Sequence, residues 1–506
     1  MRSLASALTG PGTDAVGICL RTDATLSRDG DALVLAEGHV RSVFRAADPT
    51  TAAVLGALDD GALDEGAVFA MATTIGGDRG AMALELLLRR LESGGWLEHV
   101  VVAAGTEIAR RTPLGHVVSV ATRRVRPTDR VRLSRFGLVR RGAAGLVAES
   151  PLGAAQVQLR GPVGPALVAA AIQPTRVDEL AAAAVGAGPT AVLGLVQALV
   201  DASVLGLATA DPTRAGDGDA AAADPELVPP LALWSPADLL FHTRSRVGRH
   251  EGGYGGTYRW EGRVEPAPAI RRSFTPAVAL PCIDLAERAA TDPPLADVMR
   301  RRRSVRAHDD ERPIDIGRLG ELLARVGRVT AVFDDGHQEL SARQLPSGGA
   351  LHELELYPLV NRCDGLAPGL YHYDAGAHAL GLVREPDPRT ILLAEYAKRT
   401  AVMDTLPQVV LLVAARFDRS MWKYESMAYA LSLKHVGVLY EATYLAATAM
   451  GLAVCALGGG NSDAFAAATG IDQLVEATVG EMVLGSLPTD LPDDAWRPHD
   501  DRREEG

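Results

Sequence analysis

Residues 431–463 read LSLKHVGVLYEATYLAATAMGLAVCALGGGNSD, and their pattern decides how the second half of the chain folds. Apolar positions recur nearly all round one helical segment, at Leu431, Leu433, Val436, Val438, Leu439, Leu445 and Met450. Gly437, Ala442, Ala446, Ala447 and Ala449 lie between them and permit close approach. Such a helix predicts burial on most sides, in the centre of a domain or at an interface. An ordinary core helix has the same pattern. Gly451 predicts its end, and Val454–Leu457 predicts a strand running into Gly458-Gly459-Gly460-Asn461. A strand ending in three glycines lets backbone N–H groups approach a flat ligand closely.

Working outward, the apolar run Val409–Ala414 predicts a further strand, followed by Met421-Trp422-Lys423-Tyr424-Glu425-Ser426. A tyrosine beside a lysine suits acid–base work, because a nearby ammonium favours phenolate and lowers the phenol pKa from about 10. The plainer reading is that Trp422 and Tyr424 pack while Lys423 reaches water along its apolar stem. Further upstream, Arg343-Gln344-Leu345-Pro346-Ser347-Gly348-Gly349-Ala350 predicts a loop that a ligand can approach. Strands are expected after it at Leu354–Leu359 and Gly369–Tyr373. Arg301-Arg302-Arg303-Ser304-Val305-Arg306 follows a short helical stretch at Leu295–Met299. Guanidinium forks beside a hydroxyl suit a phosphate, although a basic run is also commonly just solvated.

The remaining half divides by rhythm. Strand-like segments at Ala32–Leu35 and Val40–Phe44 precede helices at Thr50–Leu58 and Arg79–Ser93, and Trp96–Val102 closes the unit. The order recurs from about residue 130, with strands at Gly145–Val147 and Val157–Leu159. Helices follow near Pro165–Ile172, Val177–Val185 and Thr190–Ala202, before Val204-Leu205. Two such units in tandem suggest winged-helix-like modules at 1–105 and 125–208. A linker and connecting segment covers 209–289, and the polar end, 491–506, is expected to fray.

At 506 residues the chain is too long for one core, and 47% hydrophobic content supports packed domains. A net charge of −12 lacks the basic footprint of a nucleic-acid binder. Cys19, Cys282, Cys363 and Cys455 include no CxxC pair, so neither a disulfide framework nor a metal site is expected. No run approaches the ~18 apolar residues of a spanning helix, and a cytoplasmic protein without membrane partners is expected.

Taken in order, these motifs resemble the nitroreductase superfamily and, within it, the SagB-type azoline dehydrogenases of azole-containing peptide biosynthesis. The matching residues are Phe241–Arg246, Pro346–Ala350, Pro368–Tyr373, Trp422–Ser426, Ala449–Leu452 and Leu457–Gly460. They fall between about 230 and 488. The resemblance implies an α+β chain whose nitroreductase-like domain, 290–490, has a central, mostly antiparallel sheet flanked by helices. It implies FMN as cofactor, with Arg302, Arg303, Ser304 and Arg306 toward phosphate and ribityl chain. Pro346, Ser347 and Gly348 would lie under the isoalloxazine, and Leu457, Gly458 and Gly459 at its N5 and O4 edge. Lys423 and Tyr424 would be catalytic.

The implied reaction is oxidation of thiazolines or oxazolines to thiazoles or oxazoles in a ribosomally made peptide, with O₂ as electron acceptor. Implied partners are a second copy of the chain, an azoline-containing precursor peptide with its leader on the N-terminal modules, and a cyclodehydratase complex. Two other functions fit part of the pattern: an NAD(P)H-dependent nitro or quinone reductase, and a non-catalytic peptide-binding scaffold. One departure stands out. The last strand leads into Pro488-Thr489-Asp490, where many nitroreductases carry a Lys/Arg motif closing the phosphate site. His242, Arg244 and Arg246 are expected to brace the connecting segment.

Overall fold

All eight residues of the strand Val409–Arg416 are buried, and this strand is central to the second half of the molecule. Val409, Leu411 and Val413 point into one apolar cluster, whereas Val410, Leu412 and Ala414 point into another. That is the period-two alternation of a strand covered on both faces, and it explains why the sequence is apolar without interruption. The computed structural model describes residues 3–4, 8, 12–38, 40–115, 123–208 and 224–489. The chain divides into two units, Met1–Gly252 and Gly253–Gly506.

In the second unit seven strands form one sheet. Their order is Ala277–Ala279, Ala379–Arg384, Gly369–Asp374, Leu354–Val360, Val409–Arg416, Glu476–Ser486 and Leu452–Leu457. Every pairing is antiparallel. One face packs the helices Ile316–Gly327 and Ala428–Ala449, and the other packs Pro388–Ala401 and Ser462–Thr469. The unit is thus α+β, with a central antiparallel sheet between helices. Caps set the helix starts: Asp387 accepts from the amides of Arg389 and Thr390, and Asn461 from Ala464. Among the described residues, no helix is long and apolar enough to cross a membrane.

The first unit contains an internal repeat. Strands Gly61–Asp64, Ala15–Leu20 and Leu97–Ala103 lie side by side, and Thr175–Arg176, Arg130–Leu133 and Leu205–Leu207 repeat that order. Each set accompanies a three-stranded meander, Thr25–Phe44 in the first and Leu138–Leu159 in the second. The strand Thr106–Pro113 pairs with both Leu97–Ala103 and Ala155–Leu159, so one eight-stranded sheet runs through both repeats. Val101 and Ile108 share a core with Val131, Leu167 and Leu195.

The helix expected at Arg79–Ser93 begins much earlier, at Glu65, capped by Asp64 and interrupted at Gly77 (φ 55°, ψ −139°). The adjacent Gly76-Gly77 hides its first half, because glycine weakens any helical reading. Residues 209–223 of the expected linker and the expected tail, 491–506, lie outside the described residues.

Leu411 is fully buried at the centre of the second unit's sheet. Leu411→Ala should lower that unit's stability by about 2–5 kcal/mol, through lost transfer energy and a residual cavity. In urea this should appear as a lower midpoint with little change in slope.

Candidate active site

The helix Ala428–Ala449 contacts several of the segments that carry candidate site residues. Leu431 packs under Gly348, where an added Cβ would sit 2.8 Å from Leu431 Cδ2. His435 Nε2 accepts the Gly348 N–H at 2.8 Å. Tyr440 Oη accepts the Glu481 N–H at 2.7 Å. Tyr444 Oη accepts the Ala456 N–H at 2.8 Å and lies 2.8 Å from Ser304 Oγ. From 431 to 444 these contacts cover about 20 Å of helix at ~1.5 Å per residue. Within the single chain the buried residues of this helix form one stripe, while Tyr429 and Leu433 are 40% and 37% exposed on another side. Alanine and glycine spread over all faces conceal that stripe in the sequence.

The basic segment lies at the far end of this ridge. The Val305 N–H donates to the Val454 carbonyl at 2.9 Å, which lays residues 302–306 along the strand Leu452–Leu457. The Arg302 guanidinium sits 5.2 Å from the centre of the Tyr444 ring. Arg303 is half-buried, and Ser304 and Arg306 are exposed. Val454 to Gly458 is four residues, about 13 Å of extended chain at ~3.3 Å each.

At Gly458 and Gly459 an added Cβ would meet nothing within 4 Å, so this turn faces open space. Leu457 turns its side chain into the core on the other face of the sheet, leaving only its backbone toward a ligand. Guanidinium groups beside the strand and an open glycine turn after it supply the kinds of donor that the phosphate and the ring edge of FMN would need. Thr489 Oγ1 accepts from Arg312 at 3.2 Å, but Arg312 is paired with Asp309. Asp490 lies outside the described residues.

Pro346, Ser347 and Gly348 lie at the other end of the ridge, with Lys423 and Tyr424 against the same loop. Gly349 (φ 62°), Ala350 (φ 55°) and His352 (φ 47°) adopt left-handed backbone, a strained run held by its surroundings. A Cβ added at Gly349 would fall 2.7 Å from Tyr424 Oη and 3.0 Å from Lys423 Nζ. Only glycine leaves room for both.

A residue the sequence did not single out completes this group. Tyr424–Glu425 pairs with Gly255–Gly256, and the Tyr258 N–H donates to the Lys423 carbonyl at 3.2 Å. Tyr258 stacks on His337 at 4.3 Å and hydrogen-bonds the Lys423 ammonium, which lies 3.6 Å from Asp335. The distance of Tyr258 along the chain gave no sign of this partner.

The electrostatics correct the expected role of the pair. Burial raises the pKa of Tyr424, Tyr258 and Glu353 add to that, and Lys423 opposes them without reversing the shift. Tyr424 is therefore held as a phenol, above its ordinary value. Burial would lower Lys423, but its hydrogen bond to Tyr258 and the charges of Tyr258, Tyr424 and Asp335 hold it higher. Arg244 belongs to the first unit, donating to Glu149 Oε2 at 2.9 Å and the Ser150 carbonyl at 3.2 Å. It braces the chain, and His242 packs against Trp234 at 5.6 Å.

The chain has three lysines, Lys398, Lys423 and Lys434. Tyr258→Phe should lower the pKa of Lys423 and leave the other two unchanged. Reductive ¹³C-methylation and an NMR titration, assigned with Lys423→Arg, would show it. An unmoved Lys423 curve would mean the Tyr258 hydroxyl does not sustain its charge.

Residues 299–486 match the nitroreductase family model, and residues 131–251 match that of the cyanobactin oxidase ThcOx. A provisionally named nitroreductase of Methanocaldococcus jannaschii is 27% identical over 164 residues, covering 32% of this chain and 78% of that protein. Among solved structures, a provisionally named nitroreductase from Ralstonia eutropha is similar at 22% identity and TM-score 0.34, over 47% of this chain and 100% of that one. A chain of the E. coli microcin synthetase McbBCD complex with truncated pro-MccB17 bound is similar at 21% identity and TM-score 0.33, over 52% and 94%. The second unit thus carries the nitroreductase match, and the first unit carries the match to the cyanobactin oxidase ThcOx.

Proposed function

We propose that this chain uses FMN to dehydrogenate thiazolines and oxazolines to thiazoles and oxazoles in a ribosomally made precursor peptide. The observation that carries the reading is the meeting of Lys423 Nζ and Tyr424 Oη over Gly349 of the Pro346–Ala350 loop, inside a nitroreductase-family domain. The cyanobactin oxidase match in the first unit supports the same substrate class.

Arg302, Arg303, Ser304 and Arg306 would hold the FMN phosphate and ribityl chain; Pro346, Ser347 and Gly348 would underlie the ring, with the backbone of Leu457, Gly458 and Gly459 at its edge. When bound, FMN would supply a two-electron hydride acceptor. The chain's own task is proton transfer. Tyr424 takes the proton from the acidic ring carbon as a phenolate and becomes a neutral phenol, and Lys423 stabilises the phenolate before that transfer. With O₂ as terminal acceptor the balance closes: azoline and O₂ give azole and hydrogen peroxide.

The exposed side of the helix Ala428–Ala449, with Tyr429 and Leu433, favours a homodimer that covers it. In the first unit the two repeats are read as winged-helix-like, with the leader peptide added to a sheet edge. Leu138–Gly142 ends the eight-stranded sheet and offers unpaired backbone groups for that purpose. Tethering the leader would raise the local concentration of core residues at the flavin. A cyclodehydratase partner and a cytoplasmic setting belong to the same reading. The name of the archaeal relative favours a second one, an NAD(P)H-dependent nitroreductase.

Purified protein should show a flavin spectrum and should oxidise an azoline peptide in air with release of peroxide. Lys423→Ala and Tyr424→Phe should keep the flavin and lose about 10²–10⁴ of the rate, the usual worth of a positioned base. Bleaching by NAD(P)H without azoline turnover would favour the reductase. Protein that stays colourless after incubation with FMN would leave only a scaffold.

The pH profile follows from Tyr424. Its active form is deprotonated, and its pKa lies above the ordinary 10.0. The logarithm of the rate should therefore climb with pH across the neutral and mildly alkaline range. A plateau by pH 8 would remove Tyr424 as the base.

A further inference from the structure

We infer that His435 is the positioning residue of the Ser347–Gly349 loop, fixed in one tautomer by Glu353, and that through this loop it places Lys423 and Tyr424. The inference rests on the reading of Lys423 and Tyr424 as the reacting pair, but the contacts are independent of the substrate. Glu353 is fully buried just before the strand Leu354–Val360, and its Oε1 lies 2.7 Å from His435 Nδ1. On the opposite side of the ring, Nε2 receives the Gly348 N–H. An imidazole nitrogen accepts only when it carries no proton, so the proton sits on Nδ1 and is donated to the carboxylate. Burial works against that carboxylate, yet its hydrogen bonds, that from His435 first among them, hold Glu353 below the usual range.

Leu431 packs against Gly348, but a cavity lined by Arg343, Leu345, Ser347, His352, Glu353 and His435 among others borders the rest of the loop, so packing does not surround it on every side. What holds it up is a short set of directed bonds. Gly348 is tied to His435, the His352 N–H to Ser347 Oγ at 3.0 Å, and the Leu351 carbonyl to Arg419 at 2.8 Å. Of these, the His435 bond is the one next to Gly349, where a side chain would run into Tyr424 Oη and Lys423 Nζ. Losing it frees the part of the loop on which both reacting groups rest.

The test compares His435→Gln, whose side-chain oxygen can accept where Nε2 does, with His435→Phe, which keeps bulk and no acceptor. Amide hydrogen exchange across 347–351 and FMN affinity by fluorescence are measured without substrate. His435→Phe should exchange at least about tenfold faster in the loop and bind FMN several-fold more weakly, the scale of one lost buried hydrogen bond. His435→Gln should return both toward wild type.

Unchanged loop exchange in His435→Phe, or a His435→Gln variant no better than it, would overturn the inference. Should neither variant fold, the ¹H–¹⁵N long-range spectrum of histidine-labelled wild type decides. A proton on Nδ1 supports the arrangement, and a proton on Nε2 ends it. None of these readings uses azoline turnover, so failure of the proposed reaction would be distinguishable from failure of the loop assignment.

Discussion

The packing of the helix Ala428–Ala449 against the antiparallel sheet is the constraint on which the site depends. A helix places side chains at a fixed rise, and here successive turns are each assigned a partner: the Gly348 loop, then Glu481 on the strand Glu476–Ser486, then Ala456 and Ser304. The strand Leu452–Leu457 runs beside it and repeats the same measure in extended chain. Segments far apart in sequence therefore keep their spacing with little dependence on loops. Loops supply the chemistry, but two regular elements supply the distances.

That division explains which parts were legible in advance. The apolar run Val409–Ala414 was readable as a strand, and the helix with the glycine turn after it follows from composition and period. What composition conceals is which side of the helix packs on its own sheet. Alanine packs against a neighbour or faces water with little cost either way, so a helix rich in it shows no sharp polar side. At the site, Lys423 and Tyr424 were recognisable as neighbours in sequence. Tyr258, His435 and Glu353 were not, because each gains its role only through a contact with a distant segment. A lone histidine on a helix and a glutamate before a strand carry no signature of their own.

The first unit shows a related limit. Its repeat of strands, helices and a closing strand was visible as rhythm, since each repeat keeps its own order of three strands and its own meander. What rhythm does not disclose is how two repeats join. The strand Thr106–Pro113 pairs on both sides, extending one sheet through both halves, and its neighbours share a single core. No short-range pattern in residues 106–113 distinguishes a strand with one partner from a strand with two.

Electrostatics at the Lys423–Tyr424 pair show why neighbouring residue types alone mislead. A lysine beside a tyrosine should favour phenolate, and in water that argument would be sufficient. Here the phenol is partly buried, and the surroundings also include Tyr258 and the ionised Glu353, both of which disfavour a second negative charge. The carboxylate stays ionised because His435 donates to it. Glu353 thus has two effects that pull on the same loop: it fixes the imidazole that supports Gly348, and it helps keep Tyr424 protonated. A substrate or cofactor that brings compensating positive charge, or excludes the remaining water, would act on both at once. With burial and these neighbours, the Tyr424 phenol is harder to ionise than the adjacent Lys423 alone would make it.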